Sequence, residues 1–111
     1  MKKYIKYLSV IIVLIVASLP LSAQDKVIKK LVDGENQRIV IYGTSLSASK
    51  EGWPAMLEDS LNMLYPGTVE VINSAQAAMW PTWGVENLRE RVLEYKPDMV
   101  IIEFAMNDAY L

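Results

Sequence analysis

The chain has 111 residues, no cysteine and no histidine, and its formal net charge at pH 7 is −2. A chain of this length forms one domain at most. The missing cysteines exclude a disulfide framework, a thiol nucleophile and a zinc site of the cysteine type. The missing histidines exclude histidine-ligated metals and a serine–histidine pair within the chain. We therefore expect no metal and no other cofactor.

Residues 1–23 have the layout of a secretory signal peptide. Three lysines lie near the start, an apolar run follows at 8–19, and Pro20 breaks that run shortly before the small residue Ala23. A retained membrane anchor is the alternative, but a spanning helix needs about 20 apolar residues and this run is shorter. We expect cleavage before Gln24, a secreted or periplasmic location, and no stable membrane span after cleavage.

The net charge of the chain after signal cleavage indicates whether nucleic acid is a suitable partner. Cleavage before Gln24 would remove three lysines and no acidic residue, which would change the net charge from −2 to −5. An acidic body without a basic stripe does not suit nucleic acid. We therefore expect no nucleic-acid partner.

Apolar periodicity predicts an α/β domain with a parallel sheet, because strands and helices alternate along the chain. A lead-in at 24–37 is either a short helix or irregular. The elements that follow are a strand at 38–42, a helix at 53–65, a strand at 68–73, a helix from an N-cap at Thr82 to Tyr95, and a strand at 98–104. The third strand is apolar on both faces and would be an aggregation hazard at a sheet edge. We therefore expect 38–111 to be the N-terminal portion of a longer domain.

Polar and small residues follow each predicted strand, where open parallel sheets bind their ligands. Ser45 lies two residues beyond the first strand, and Gly43 permits a sharp turn that would present its hydroxyl. Taken alone, Gly-x-Ser after a strand is usually a turn with a capping hydroxyl, so this signal is weak.

Three strand-end segments together resemble the SGNH hydrolases, also called the GDSL esterase/lipase family. Gly43-Thr44-Ser45-Leu46 is similar to the family's Gly-Asp-Ser-Leu block, and 73–78 is similar to its Asn-x-Gly-x-x-Gly stretch. Ala105-Met106-Asn107-Asp108 is similar to its Gly-x-Asn-Asp block. The resemblance covers about 38–110. It implies a three-layer α/β/α, flavodoxin-like fold with strand order 2-1-3 and two main helices.

The resemblance also implies roles for individual residues. Ser45 would be the nucleophile of an acyl or carbohydrate-acetyl esterase, whose partner is a small-molecule or carbohydrate ester. The backbone N–H groups of Ser45 and Ala78 and the side-chain amide of Asn107 would form the oxyanion hole. Gly43 would support the turn, and Asp108 would hold its own loop.

Three departures from the family pattern affect these expectations. Thr44 replaces an aspartate and is expected to matter little. Ala105 replaces a glycine and removes flexibility beside Asn107. Ala78 replaces another glycine, which would disturb the oxyanion hole if the turn requires a positive φ.

The family's fourth block, Asp-x-x-His, has no counterpart in this sequence. Serine is a weak nucleophile without an adjacent base, so the chain alone is expected to be inactive. The alternative interpretation is a non-catalytic remnant or a small binding module on the same half-fold.

Other polar and aromatic residues have simpler interpretations. Glu103 is expected to satisfy a neighbouring backbone or helix group rather than to act in catalysis. Trp80 either packs in its loop or lines a sugar or acyl pocket. Four charged residues of the second predicted helix are expected to form a solvated face, namely Glu86, Arg89, Glu90 and Arg91.

Overall fold

The structure is a computed structural model that describes residues 22–105. Its elements in chain order are α1 (Ala23–Val32), β1 (Gln37–Gly43), α2 (Ser45–Ala48), α3 (Trp53–Leu64), β2 (Val69–Asn73), α4 (Pro81–Glu86), α5 (Leu88–Arg91), a 3-10 turn (Leu93–Tyr95) and β3 (Met99–Glu103). The strands form one parallel sheet in the order β2-β1-β3. The predicted α/β class, the three strands and their order are therefore confirmed.

The central strand β1 pairs on both edges and is covered on both faces. Ile39 pairs with Val71 of β2 and with Met99 of β3. The β1 side chains alternate between two cores, which explains why the strand is a continuous apolar run. The β1 residues that are at most 2% exposed are Ile39, Val40, Ile41 and Tyr42.

The lead-in contains a helix, α1, which is one of the two forms that the sequence left open. Ser22 and Asp25 make a capping box at its start, each satisfying the backbone N–H of the other. Cleavage before Gln24 would therefore remove the capping residue. The side chains that α1 and α3 bring to the core around Ile39 and Ile41 are Val27, Leu31, Trp53, Leu57 and Leu61.

The second predicted helix is broken into α4, α5 and the 3-10 turn, so its expected start and continuity are wrong. It begins at Pro81 rather than after Thr82, because proline suits the first helical position. Asn87 ends α4, and its side-chain amide donates to the Trp83 carbonyl at 2.8 Å. The residues that this region packs around Val40 and Tyr42 include Trp83, Leu88 and Val92.

Several expectations fall outside the part of the chain that the structure describes. They are the apolar run of the signal peptide and the roles of Asn107 and Asp108. Within residues 22–105, no helix has the length and apolar character needed to cross a membrane.

Candidate functional site

The carboxyl ends of β1 and β2 are joined at the turn that carries Ser45. The Gln76 N–H donates to the Gly43 carbonyl at 2.9 Å. The side-chain amide of Asn73 donates to the Ser47 carbonyl at 2.7 Å. The loop after β2 is thereby attached to the turn that carries Ser45, on both sides of that residue.

The Glu103 carboxylate joins the end of β3 to the same turn. It accepts hydrogen bonds from the Thr44 N–H at 3.2 Å, from the Thr44 hydroxyl at 2.9 Å and from the Ser47 hydroxyl at 3.0 Å. The Ser47 hydroxyl also accepts from the Trp53 indole N–H at 3.2 Å. The expectation that Glu103 satisfies a neighbouring backbone group is confirmed.

Thr44 has a larger role than the sequence suggested. Its side chain and that of Ser47 are 0% exposed, and both hydroxyls donate to Glu103. Because buried hydroxyls must find partners, the turn depends on this carboxylate. Thr44 thus has a structural role in the turn, in addition to the sequence-based expectation that its replacement of an aspartate matters little.

Ser45 is held between these buried neighbours and is itself exposed to solvent. It is the first residue of α2, where backbone N–H groups have no intrahelical acceptor. The turn therefore presents a hydroxyl and a backbone N–H together at the carboxyl edge of the sheet. An acyl carbonyl approaching this edge could meet both groups.

Gly43 is required by close packing rather than by a special backbone conformation. A Cβ at this position would lie 2.9 Å from a Glu103 carboxylate oxygen and closer still to the Glu103 carbonyl oxygen. Its φ is not among the positive values of the described residues. The glycine thus lets the ends of β1 and β3 approach, whereas the sequence suggested a sharp turn.

Ala78 adopts a left-handed conformation with a φ of 62° and is exposed. This conformation costs an L-residue roughly 1–2 kcal/mol, which glycine would not incur. Ala78 thus has the positive φ at which replacing the family's glycine by alanine is expected to disturb the oxyanion hole. The loop retains an N–H at this position, but it holds that N–H in a strained backbone.

We expect Ala78→Gly to raise the free energy of unfolding by about 1 kcal/mol, because glycine adopts positive φ without a Cβ penalty. Urea unfolding of the two proteins measures the change. Ala77→Gly is the matched control, since Ala77 is also exposed but has no positive φ. The control should lose about 0.5 kcal/mol through the added entropy of the unfolded chain. A loss in both variants would contradict strain at Ala78.

The sequence suggested that Arg91 extends from a solvated helix face, but the structure contradicts this. Its guanidinium lies 5.0 Å from the centre of the Trp83 ring and donates to the side-chain oxygen of Gln76. Burial raises the pKa of the neighbouring Tyr42, and the charge of Arg91 offsets part of that rise. Other charged residues of this region are exposed as expected, namely Glu86, Arg89 and Glu90.

The sequence indicated no role for Ser47, included Asn73 only as part of the 73–78 stretch, and placed Arg91 on a solvated helix face. Asn73 had a usable signal, because asparagine after a strand often forms a turn with its own backbone. Its side-chain oxygen accepts from the Ala75 N–H at 3.1 Å. No local pattern marks the bond of Ser47 to Glu103 or that of Arg91 to Gln76, which span 56 and 15 residues of the chain.

Comparison of the chain with protein-family models gives no match, and comparison with curated proteins finds no relative. Within the described range, no group of three or more acidic side chains is placed to hold a metal ion. The chemistry of the site therefore has to be argued from its geometry and from the motifs.

Proposed function

We propose that the chain carries the nucleophile of an exported SGNH-type serine hydrolase that acts on acyl or carbohydrate-acetyl esters. The observation that carries this proposal is the left-handed backbone at Ala78, with a φ of 62°. The resemblance places a family glycine at this position, and positive φ is the conformation for which glycine is selected. The backbone conformation supports the motif alignment independently of the residue types.

The proposed reaction begins with attack of the Ser45 hydroxyl on the ester carbonyl, while a base takes the hydroxyl proton. The alcohol leaves with a proton, and water then hydrolyses the acyl-serine. The N–H groups of Ser45 and Ala78 and the Asn107 amide would stabilise the oxyanion. One donor of this kind lowers the barrier by about 3–4 kcal/mol in comparable sites.

The base has to come from outside these 111 residues, because they contain no histidine. The family's Asp-x-x-His block is the source that the resemblance suggests. Without it, the chain retains the turn and two backbone donors but has no group to remove the serine proton.

We expect free imidazole to replace the missing base in part. The full chain is incubated with p-nitrophenyl acetate at increasing imidazole concentrations, and acetylation of Ser45 is followed by mass spectrometry. Acetylation of Ser45 should rise about tenfold or more, which is below the roughly 10²–10⁴-fold that a positioned base contributes because free imidazole is not held in place. Ester turnover without imidazole should stay at background.

Two variants decide whether the acetylation is specific. Ser45→Ala should remove the adduct, and Ser49→Ala should not, although Ser49 is an exposed serine of the next turn. Adducts that persist in Ser45→Ala would contradict the proposal. No imidazole-dependent adduct in a cooperatively folded chain would favour the non-catalytic binding module, which the missing histidine also suggests.

A further inference from the structure

An apolar cavity of about 130 Å³ lies between the sheet and the two helices that cover one of its faces. Its walls come from α1, α3, β1 and β3, and the lining residues include Val27, Ile28, Leu57, Leu61, Ile39 and Ile101. No polar atom contributes to the cavity surface, although Gln24 is one of the lining residues. The cavity therefore offers no hydrogen bond to a molecule inside it.

The cavity is an unfilled part of the core around Ile39 and Ile41. Two of its lining residues, Val27 and Ile39, are only 4% and 2% exposed. Leu57 and Leu61 pack against the same core. Because protein interiors are close-packed, the walls of such a void lack contacts that a molecule of the right size would supply.

Water is a poor occupant of this cavity. A buried water molecule typically makes about three hydrogen bonds to polar groups, and these walls provide none. An apolar cavity of about 150 Å³ in another protein, lined by leucine, isoleucine and phenylalanine, stays dry and binds benzene. The cavity described here is similar in volume and in the chemistry of its walls.

The rim of the cavity lies on α1. Gln24 and Ile28 are four residues apart, so they lie on the same face of the helix. Both line the cavity, yet Gln24 is exposed and Ile28 is 40% exposed. A small molecule can therefore enter from solvent at the first two turns of α1.

We propose that this cavity is a binding site for a small uncharged hydrocarbon of about the size of benzene. Removal of apolar surface from water drives the binding, and a polar group on the ligand would be buried without a partner. None of residues 43–48 lines the cavity. The site is therefore separate from the turn that carries Ser45 and does not depend on the proposed hydrolase function.

Benzene and hydroquinone are the probes that test the chemistry of the site. The full chain is titrated with each compound, and the methyl NMR signals of Val27, Leu57 and Leu61 are followed. Benzene should shift these signals saturably. Hydroquinone should bind at least about tenfold more weakly, because its two hydroxyls lie at opposite ends of the ring and one would be buried unpaired in either orientation. Equal affinity for hydroquinone, or no saturable shift with benzene, would overturn the proposal.

Two methionine substitutions on α1 test the location of the site. Val27→Met places a longer, flexible side chain at the cavity, where it should fill the space and weaken benzene binding about tenfold or more. Val32→Met is the matched control, because Val32 belongs to the same helix but is 68% exposed and does not line the cavity.

Urea unfolding of both methionine variants completes the test. Val27→Met should keep the unfolding midpoint of the unaltered chain, since the added atoms enter unfilled space. A Val27→Met chain that does not fold would show that no such space exists, which would overturn the proposal. Full benzene binding in Val27→Met, or an equal loss of binding in Val32→Met, would also overturn it.

Discussion

Gly43→Ala is expected to lower the free energy of unfolding by about 2–3 kcal/mol. The added methyl would lie 2.9 Å from a Glu103 carboxylate oxygen and closer to the Glu103 carbonyl oxygen, which is backbone and cannot rotate away. Relief requires the ends of β1 and β3 to separate, and forcing extra volume into packed structure typically costs this much. Urea unfolding monitored by tryptophan fluorescence measures the loss.

Gly52→Ala is the matched control for Gly43→Ala. Gly52 is partly buried and has a φ of −83°, and the nearest atom to its added Cβ would be the Ser49 Cβ at 3.2 Å, with the Ser49 carbonyl oxygen at 3.4 Å. A small local shift accommodates that contact, so the change should stay within about 0.5 kcal/mol. Similar losses in the two variants would show that the approach of β1 to β3 is not the cause.

Glu103→Gln is expected to cost about 2–3 kcal/mol although the side chains have nearly the same shape. The carboxylate accepts from two groups of Thr44 and from the Ser47 hydroxyl. All three bonds end on the same carboxylate oxygen, Oε2, so glutamine can keep these partners, but each bond then goes to a neutral oxygen and loses roughly 1 kcal/mol of charge-assisted stabilisation. Urea unfolding gives the free energy, and faster hydrogen exchange of the Thr44 amide would locate the loss in the turn that carries Ser45.

Glu70→Gln is the control for Glu103→Gln, since Glu70 is also a strand carboxylate with a hydrogen-bonded partner. Its bond to Arg38 is 2.8 Å long, but the two side chains are 57% and 40% exposed. Exposed pairs contribute about 0–1 kcal/mol. Equal costs for the two glutamate substitutions would mean that burial of the Glu103 network is unimportant.

The strands were predictable because burial on both faces leaves a simple sequence pattern. β1 was expected at 38–42 and spans Gln37–Gly43, and β3 was expected at 98–104 and spans Met99–Glu103. The helix after β2 was less predictable. Its apolar spacing continues to Tyr95, but the side chain of Asn87 bonds the Trp83 carbonyl and α4 ends there. Periodicity alone does not reveal that local bond, which is made to the same carbonyl that accepts the helical bond from the Asn87 N–H.

The candidate site was predictable only where one short motif contains it. Gly43 and Ser45 were identified because they lie within three residues of each other beyond a strand. The polar partners of the turn were identified poorly, since the bonds of Thr44 and Ser47 to Glu103 depend on the pairing of β1 with β3. Arg91 was misread for the same reason, because its helix face points to a loop rather than to solvent.

The bond between Thr44 and Glu103 spans 59 residues of the chain. β3 reaches this turn by pairing with β1, so the turn that carries Ser45 is supported through one of the longest loop closures in the described structure. Such closures carry the largest entropic cost and slow folding in proteins rich in distant contacts. The geometry around Ser45 therefore depends on β3, and a nascent chain that has not yet reached β3 would bear the motif without the site.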